Sequence, residues 1–152
     1  MQKDLFEPVV RKLRLMLAFL DELSGELPEQ KTDYLNAPTG KHRAVERLCQ
    51  LVVECSIDAN SLLVIQSGGN PPTSARDSFT AAHKLGGIAI EIRNTFHYRF
   101  VPLRNRLVHV YEDIDNERVY DSAQSLLNDG RRYIQQMTAY LEQQERDTAS
   151  GS

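Results

Sequence analysis

The chain has 152 residues, 41% of them apolar, 26% charged and 7% aromatic, with only two Cys. One domain fits that length, and a chain of this size buries roughly 70% of its unfolded surface, so its core needs no disulfide or metal staple. Eighteen Lys and Arg against 21 Asp and Glu give a formal net charge of −3, which excludes a nucleic-acid binder basic over its whole surface but not a local basic site.

The periodicity is helical throughout and predicts an all-α fold. Leu5, Val9, Leu13, Met16, Leu17, Leu20 and Leu23 recur at three- and four-residue steps. They mark a first helix with Pro8 in its first turn, Glu7 as its cap, and Gly25 and Pro28 closing it. Residues 28–40 read as a loop with one short helical turn at most. A long second helix, from about Lys41 to Ser67, carries Val45, Leu48, Val52, Cys55, Ala59 and Leu63 as its apolar stripe. Ser67-Gly68-Gly69-Asn70-Pro71-Pro72 cannot continue it. Ser74-Ala75-Arg76-Asp77 caps a short third helix through Leu85, and Gly86-Gly87 punctuates again.

Ile88 to Tyr111 is helical in character, with Pro102 expected to kink or split it. Asp113-Ile114-Asp115-Asn116 then caps a last helix striped by Val119, Tyr120, Ala123, Leu126, Ile134, Met137 and Leu141, which Gly130 weakens midway. Composition after about Glu145 predicts a disordered tail, giving a domain over 1–145 and a tail over 146–152. The sum is an up-and-down helical bundle of four main helices plus a short one. Cys49 and Cys55 read as small core residues in a reduced compartment. No apolar run is expected to approach the ~18 residues of a membrane span, and the start lacks a signal-peptide core. A soluble cytoplasmic domain that meets no membrane is the expectation.

Phosphate-binding Gly loops, His-Glu-x-x-His zinc helices and Ser-centred nucleophile elbows are absent. One stretch departs from ordinary bundle surface. Arg93, Arg99, Arg104 and Arg106, with His97 and His109 beside them, follow one another without an acidic residue, and Glu112-Asp113 then reverses the charge. A solvated basic face and a phosphate-attracting site both fit. Asn105 and His109, at i and i+4, share a helix face. Arg104 and His109 diverge by about 140° on an ideal helix, so they meet on one substrate only at a frayed helix end or with a second copy of the chain.

Arg104-Asn105, three further residues, then His109-Val110-Tyr111 resembles the Arg-x4-His-x-Tyr motif of the HepT toxins, a branch of the HEPN superfamily of helical ribonucleases. The first amphipathic helix, the Ala44-Val45-Glu46-Arg47-Leu48-Cys49-Gln50 start of the second, Glu54 with Asp58, and Glu117-Arg118-Val119-Tyr120 run in the family's order, over about residues 5–142. Pro102-Leu103 departs from the small residue and aromatic or apolar residue common there.

The resemblance implies a metal-independent endoribonuclease toxin with no cofactor. In it Arg104 binds the scissile phosphate, His109 is general acid or base, and Asn105 orients His109 or phosphate. RNA, tRNA or mRNA, is the implied substrate, cut by attack of its own 2′-OH in a composite site of a homodimer or higher even oligomer. Tyr111 matches the tyrosine that a cognate MntA-like nucleotidyltransferase antitoxin modifies with AMP, with Tyr120 the nearest other acceptor. Asp58 is expected either to anchor a motif-side Arg or to be a surface carboxylate. His97 is expected at the surface or in packing rather than in the RNA groove, and Arg106 is expected to contact RNA backbone or a carboxylate. Two other readings remain: a catalytically silent HEPN-type module that binds nucleotides or a nucleotidyltransferase, and a plain helical interaction domain.

Overall fold

The computed structural model describes residues 5–109 and 114–150, and the regular elements among them are all helices. In α1 (Glu7–Glu26) the cap position belongs to Phe6, not Glu7, and makes no side-chain bond; Pro8 sits in the first turn, where its missing N–H has no partner to lose. Gly25 stays helical, and the chain turns out only at Leu27, before Pro28. Val9, Leu13, Met16, Leu20 and Leu23 are buried, whereas Leu5 and Leu17 keep part of their surface in solvent. The short turn expected in the following loop is α2 (Lys31–Leu35), which buries Tyr34 against Tyr120 at 5.6 Å between rings.

The long helix α3 (Thr39–Gln66) packs on α1 along its length and also meets α4, α6 and α7. Against the expectation from sequence, an 18-residue window of α3 reaches a mean hydropathy of 1.6, apolar enough by composition to cross a membrane. Its apolar side, including Val45, Val52, Val53, Ala59 and Leu63, is the core of the bundle. A central helix touched on several sides cannot carry a polar half.

For α4 (Ala75–Leu85), Ser74 Oγ accepts the Asp77 N–H at 3.0 Å, and Gly86 closes the helix at φ 96°, the left-handed conformation that favours glycine. α5 (Ile90–Thr95), a π-helical turn (Phe96–Phe100) and α6 (Val101–His109) then run on without a break. Pro102 therefore does not split the segment. It has no N–H for the Tyr98 carbonyl, and the chain widens just ahead of it, with the Val101 N–H bonding the Phe96 carbonyl five residues back. Phe96 and Phe100 anchor this turn in the core: Phe96 lies 4.8 Å from the Phe79 ring and 5.3 Å from the Tyr133 ring.

At the start of α7 (Asn116–Ser150), Asp115 Oδ1 accepts the Glu117 and Arg118 N–H groups at 3.0 and 3.3 Å. Gly130 is buried where α7 crosses α1, and a Cβ there would lie 3.0 Å from Leu20 Cδ2. The tail expected after Glu145 is helical to Ser150: Gln143 donates to Asp147 at 2.8 Å and Arg146 to Gln143 at 2.8 Å, and no Gly or Pro intervenes before Gly151.

A buried polar knot ties α3, α4 and α7 beneath the π-helical turn. The Tyr133 hydroxyl sits between Asn60 Oδ1 and the Ser56 carbonyl, Asn60 Nδ2 donates to Ser78 Oγ at 3.2 Å, and Ser78 Oγ donates to the Ala75 carbonyl at 2.6 Å. Each buried polar group in the knot has a partner, which fixes how the three helices register.

Candidate active site

The Arg/His motif lies on α6, a regular α-helix from Val101 to His109 that packs on α3. Five residues of unbroken helix keep Arg104 and His109 about 140° apart. Arg104 is half-buried, and its Nε is shielded from solvent with no hydrogen-bond partner among the described residues. Asn105, Arg106 and His109 are exposed. One chain thus offers Arg104 and His109 in different directions.

Charge around the motif is unbalanced. Arg93 donates to Thr80 Oγ1 through Nε at 3.3 Å and Nη2 at 3.0 Å, and to Asn94 Oδ1 at 2.8 Å. Among the described residues none of Arg93, Arg99, Arg104 and Arg106 has a carboxylate partner. Elsewhere Lys12, Lys31, Lys41 and Arg131 all do. His97 is half-buried with an unpartnered, shielded Nδ1, and its ring rests 4.6 Å from that of Tyr98. Burial lowers the His97 pKa below the ordinary imidazole value, and Arg93 and Arg76 add to this while Asp77 opposes it.

Asp58 does not hold a motif-side Arg. Its side chain is 54% exposed and its Oδ2 lies 3.3 Å from Lys12 Nζ, because the close packing of α1 on α3 brings Lys12 there first. Glu54 is engaged on its own helix by Gln50 Nε2 at 3.0 Å. Tyr111 lies outside the described residues. Tyr120 is 5% exposed, and its hydroxyl is enclosed by the Pro28 and Glu29 carbonyls at 2.7 and 2.8 Å and by Gln124 Nε2 at 3.0 Å.

Burial pushes the Cys49 thiol up to about 12 and the Cys55 thiol to about 11, so neither is a ready nucleophile at neutral pH. Among the described residues no group of three His, Cys, Asp or Glu could hold a metal ion. A groove of about 750 Å³ between α1 and the second half of α7, walled by Phe6, Val10, Ile134 and Leu141, contains no motif residue. Tyr98, 71% exposed on the π-helical turn, is the residue that sequence reasoning passed over. Its signal was its phase, midway between the core positions Phe96 and Phe100.

Residues 16–137 match the family described as ribonuclease HepT-like. The chain is 32% identical over 142 residues to a tRNA nuclease HepT of Aphanizomenon flos-aquae (strain 2012/KM1/D3), an alignment covering 89% of this chain and 92% of that protein. Solved structures share the fold, among them two toxin–antitoxin complexes. A tri-AMPylated Shewanella oneidensis HEPN toxin in complex with MNT antitoxin superposes with a TM-score of 0.71 at 21% identity, over 90% of this chain and 98% of the toxin. A mutant MntA–HpeT toxin–antitoxin complex gives 0.75 at 22% identity, over 88% and 98%.

Proposed function

From the premise that this chain belongs to the HepT-like ribonuclease family, we propose that it is the toxin of a toxin–antitoxin pair, a metal-independent endoribonuclease acting in the cytoplasm. The observation that carries this reading is the state of Arg104: a half-buried guanidinium with a shielded, unpartnered Nε and no carboxylate among the described residues. A shielded guanidinium N–H normally has an acceptor, and a phosphodiester supplies two parallel acceptor oxygens. The tRNA nuclease activity named for the Aphanizomenon relative makes RNA the phosphodiester of choice.

The reaction follows from two groups. The ribose 2′-OH loses its proton and attacks the adjacent phosphorus, the bond to the 5′-oxygen breaks, and that oxygen leaves protonated. The ends are a 2′,3′-cyclic phosphate and a free 5′-OH. Arg104 stabilises the added charge on the pentacovalent phosphorane. His109, exposed at the end of α6, moves a proton as acid or base, with Asn105 on its face to orient it or the phosphate. Because Arg104 and His109 diverge, the reacting phosphate is held by Arg104 of one copy and His109 of another, in a homodimer or a higher even oligomer. The nucleotidyltransferase partners of the solved HEPN toxins suggest how the site is silenced: a similar antitoxin attaches AMP to Tyr111, two residues beyond His109.

Purified protein incubated with total RNA, with and without EDTA, tests the reading. Cleavage that persists in EDTA and disappears in both Arg104→Ala and His109→Ala is expected, with losses of about 10²–10⁴-fold. A strict magnesium requirement, or His109→Ala at near wild-type rate, would refute it.

A further inference from the structure

The π-helical turn offers more than an accommodation of Pro102. Tyr98 is 71% exposed, the most exposed of the large apolar or aromatic side chains that stand out in solvent. It is also held in place, since the buried Phe96 and Phe100 fix the turn from below and the His97 ring abuts Tyr98 from the side at 4.6 Å. Tyr98-Arg99 and Asn105-Arg106 are two exposed pairs seven residues apart, so both rise on the solvent side of one continuous helix. His109 follows on that side, about 16 Å along the axis from Tyr98. Over residues 92–109 there is no acidic residue, and none of the four Arg has a carboxylate partner among the described residues.

An exposed aromatic on a core-anchored turn, set in a row of uncompensated guanidinium groups, is the combination that holds single-stranded nucleic acid, the ring by stacking and the cations by backbone phosphates. We propose that Tyr98 is a base-stacking platform for single-stranded RNA, flanked by Arg99 and Arg106 as phosphate contacts, and that it sets where along the strand the scissile phosphate falls relative to Arg104 and His109. This rests on the ribonuclease reading and adds a substrate subsite to it. Stacking tolerates any base, so the platform gives grip and register rather than base identity.

The chain contains no Trp, so Tyr98→Trp places a single fluorescent reporter at the platform. An oligouridine of about ten residues, 2′-O-methylated so that it cannot be cut, serves as probe. Its addition should quench the indole emission of the Tyr98→Trp chain at the concentration where anisotropy reports binding. By anisotropy, Tyr98→Ala should bind the probe at least about fivefold more weakly, whereas Tyr98→Phe and Tyr98→Trp should stay within about twofold of wild type. Equal binding by wild type and Tyr98→Ala overturns the platform and leaves the nuclease reading standing. No probe binding by wild type refutes both the platform and its parent reading. Weaker binding with a loss of dimer on light scattering would make Tyr98 an interface anchor, which also overturns the proposal.

Discussion

Individual side chains differ in how far their roles can be read from the chain alone. For Arg104 and His109 the divergence on the helix is legible, because five residues of spacing on one regular helix carry their own geometry. Asp58 is not: whether a carboxylate on α3 faces a motif Arg or a neighbouring Lys is settled by which helix packs beside it, and α1 delivers Lys12. The tyrosines sort by surroundings. Tyr34 and Tyr133 are buried outright, and Tyr120 is enclosed by two backbone carbonyls and Gln124, so none presents a free hydroxyl to an enzyme. Tyr98, 71% exposed, does present one, which makes it the control for the modification proposed at Tyr111. Incubation with ATP and the cognate nucleotidyltransferase should add mass in AMP steps. Peptide mapping should put the adduct on Tyr111, and Tyr111→Phe should remain toxic and escape neutralisation. An adduct on Tyr98, or silencing that survives Tyr111→Phe, would move control to another residue or to plain binding. In the proposed control, each AMP would bring a phosphodiester charge beside the guanidinium groups proposed to hold RNA.

Among the helices, several ends that depend on one or two adjacent residues follow the sequence, although Glu7 does not cap α1 and Gly25 does not close it. Ser74, Asp115 and Gly86 do as caps what their chemistry requires, because a cap is a local bond between a side chain or a permissive backbone and the first or last turn. The π-helical turn was hidden, since Ile92, Phe96 and Phe100 recur at the four-residue step of an ordinary helix and the widening answers a donor missing at Pro102. Gly130, expected to weaken the last helix without ending it, lies within an unbroken α7. It also marks the crossing of α7 over α1, where an added methyl group would crowd Leu20 Cδ2 at 3.0 Å. Gly130→Ala gains about 1 kcal/mol in helix propensity and faces about 1–3 kcal/mol of overpacking, so net destabilisation is expected. A urea titration should show a lower midpoint with an unchanged slope; a higher midpoint would mean that Leu20 can retreat.

At the scale of the whole molecule, the proposed composite site would make assembly part of catalysis. The Arg104→Ala and His109→Ala chains are each expected to be inactive alone. Refolded together, they form mixed dimers in which one of the two sites regains an intact Arg104 from one chain and an intact His109 from the other. Random pairing should restore about a quarter of wild-type cleavage, because half the dimers are mixed and half of their sites are whole. No recovery, with mixed dimers demonstrated by mass, would place both residues in one chain's site.

A net-acidic body whose residues 92–109 carry no carboxylate is an electric dipole as well as a charge. A polyanion drifting in from most directions meets repulsion, and one approaching that helix meets attraction, so the field filters encounters by orientation before any contact forms. Ionic strength should therefore govern how fast RNA arrives more than how fast it leaves. In stopped-flow mixing the association rate should fall steeply as salt rises while the dissociation rate changes little. Reversing Arg99 alone, with Arg99→Glu, should flatten that dependence without altering the fold.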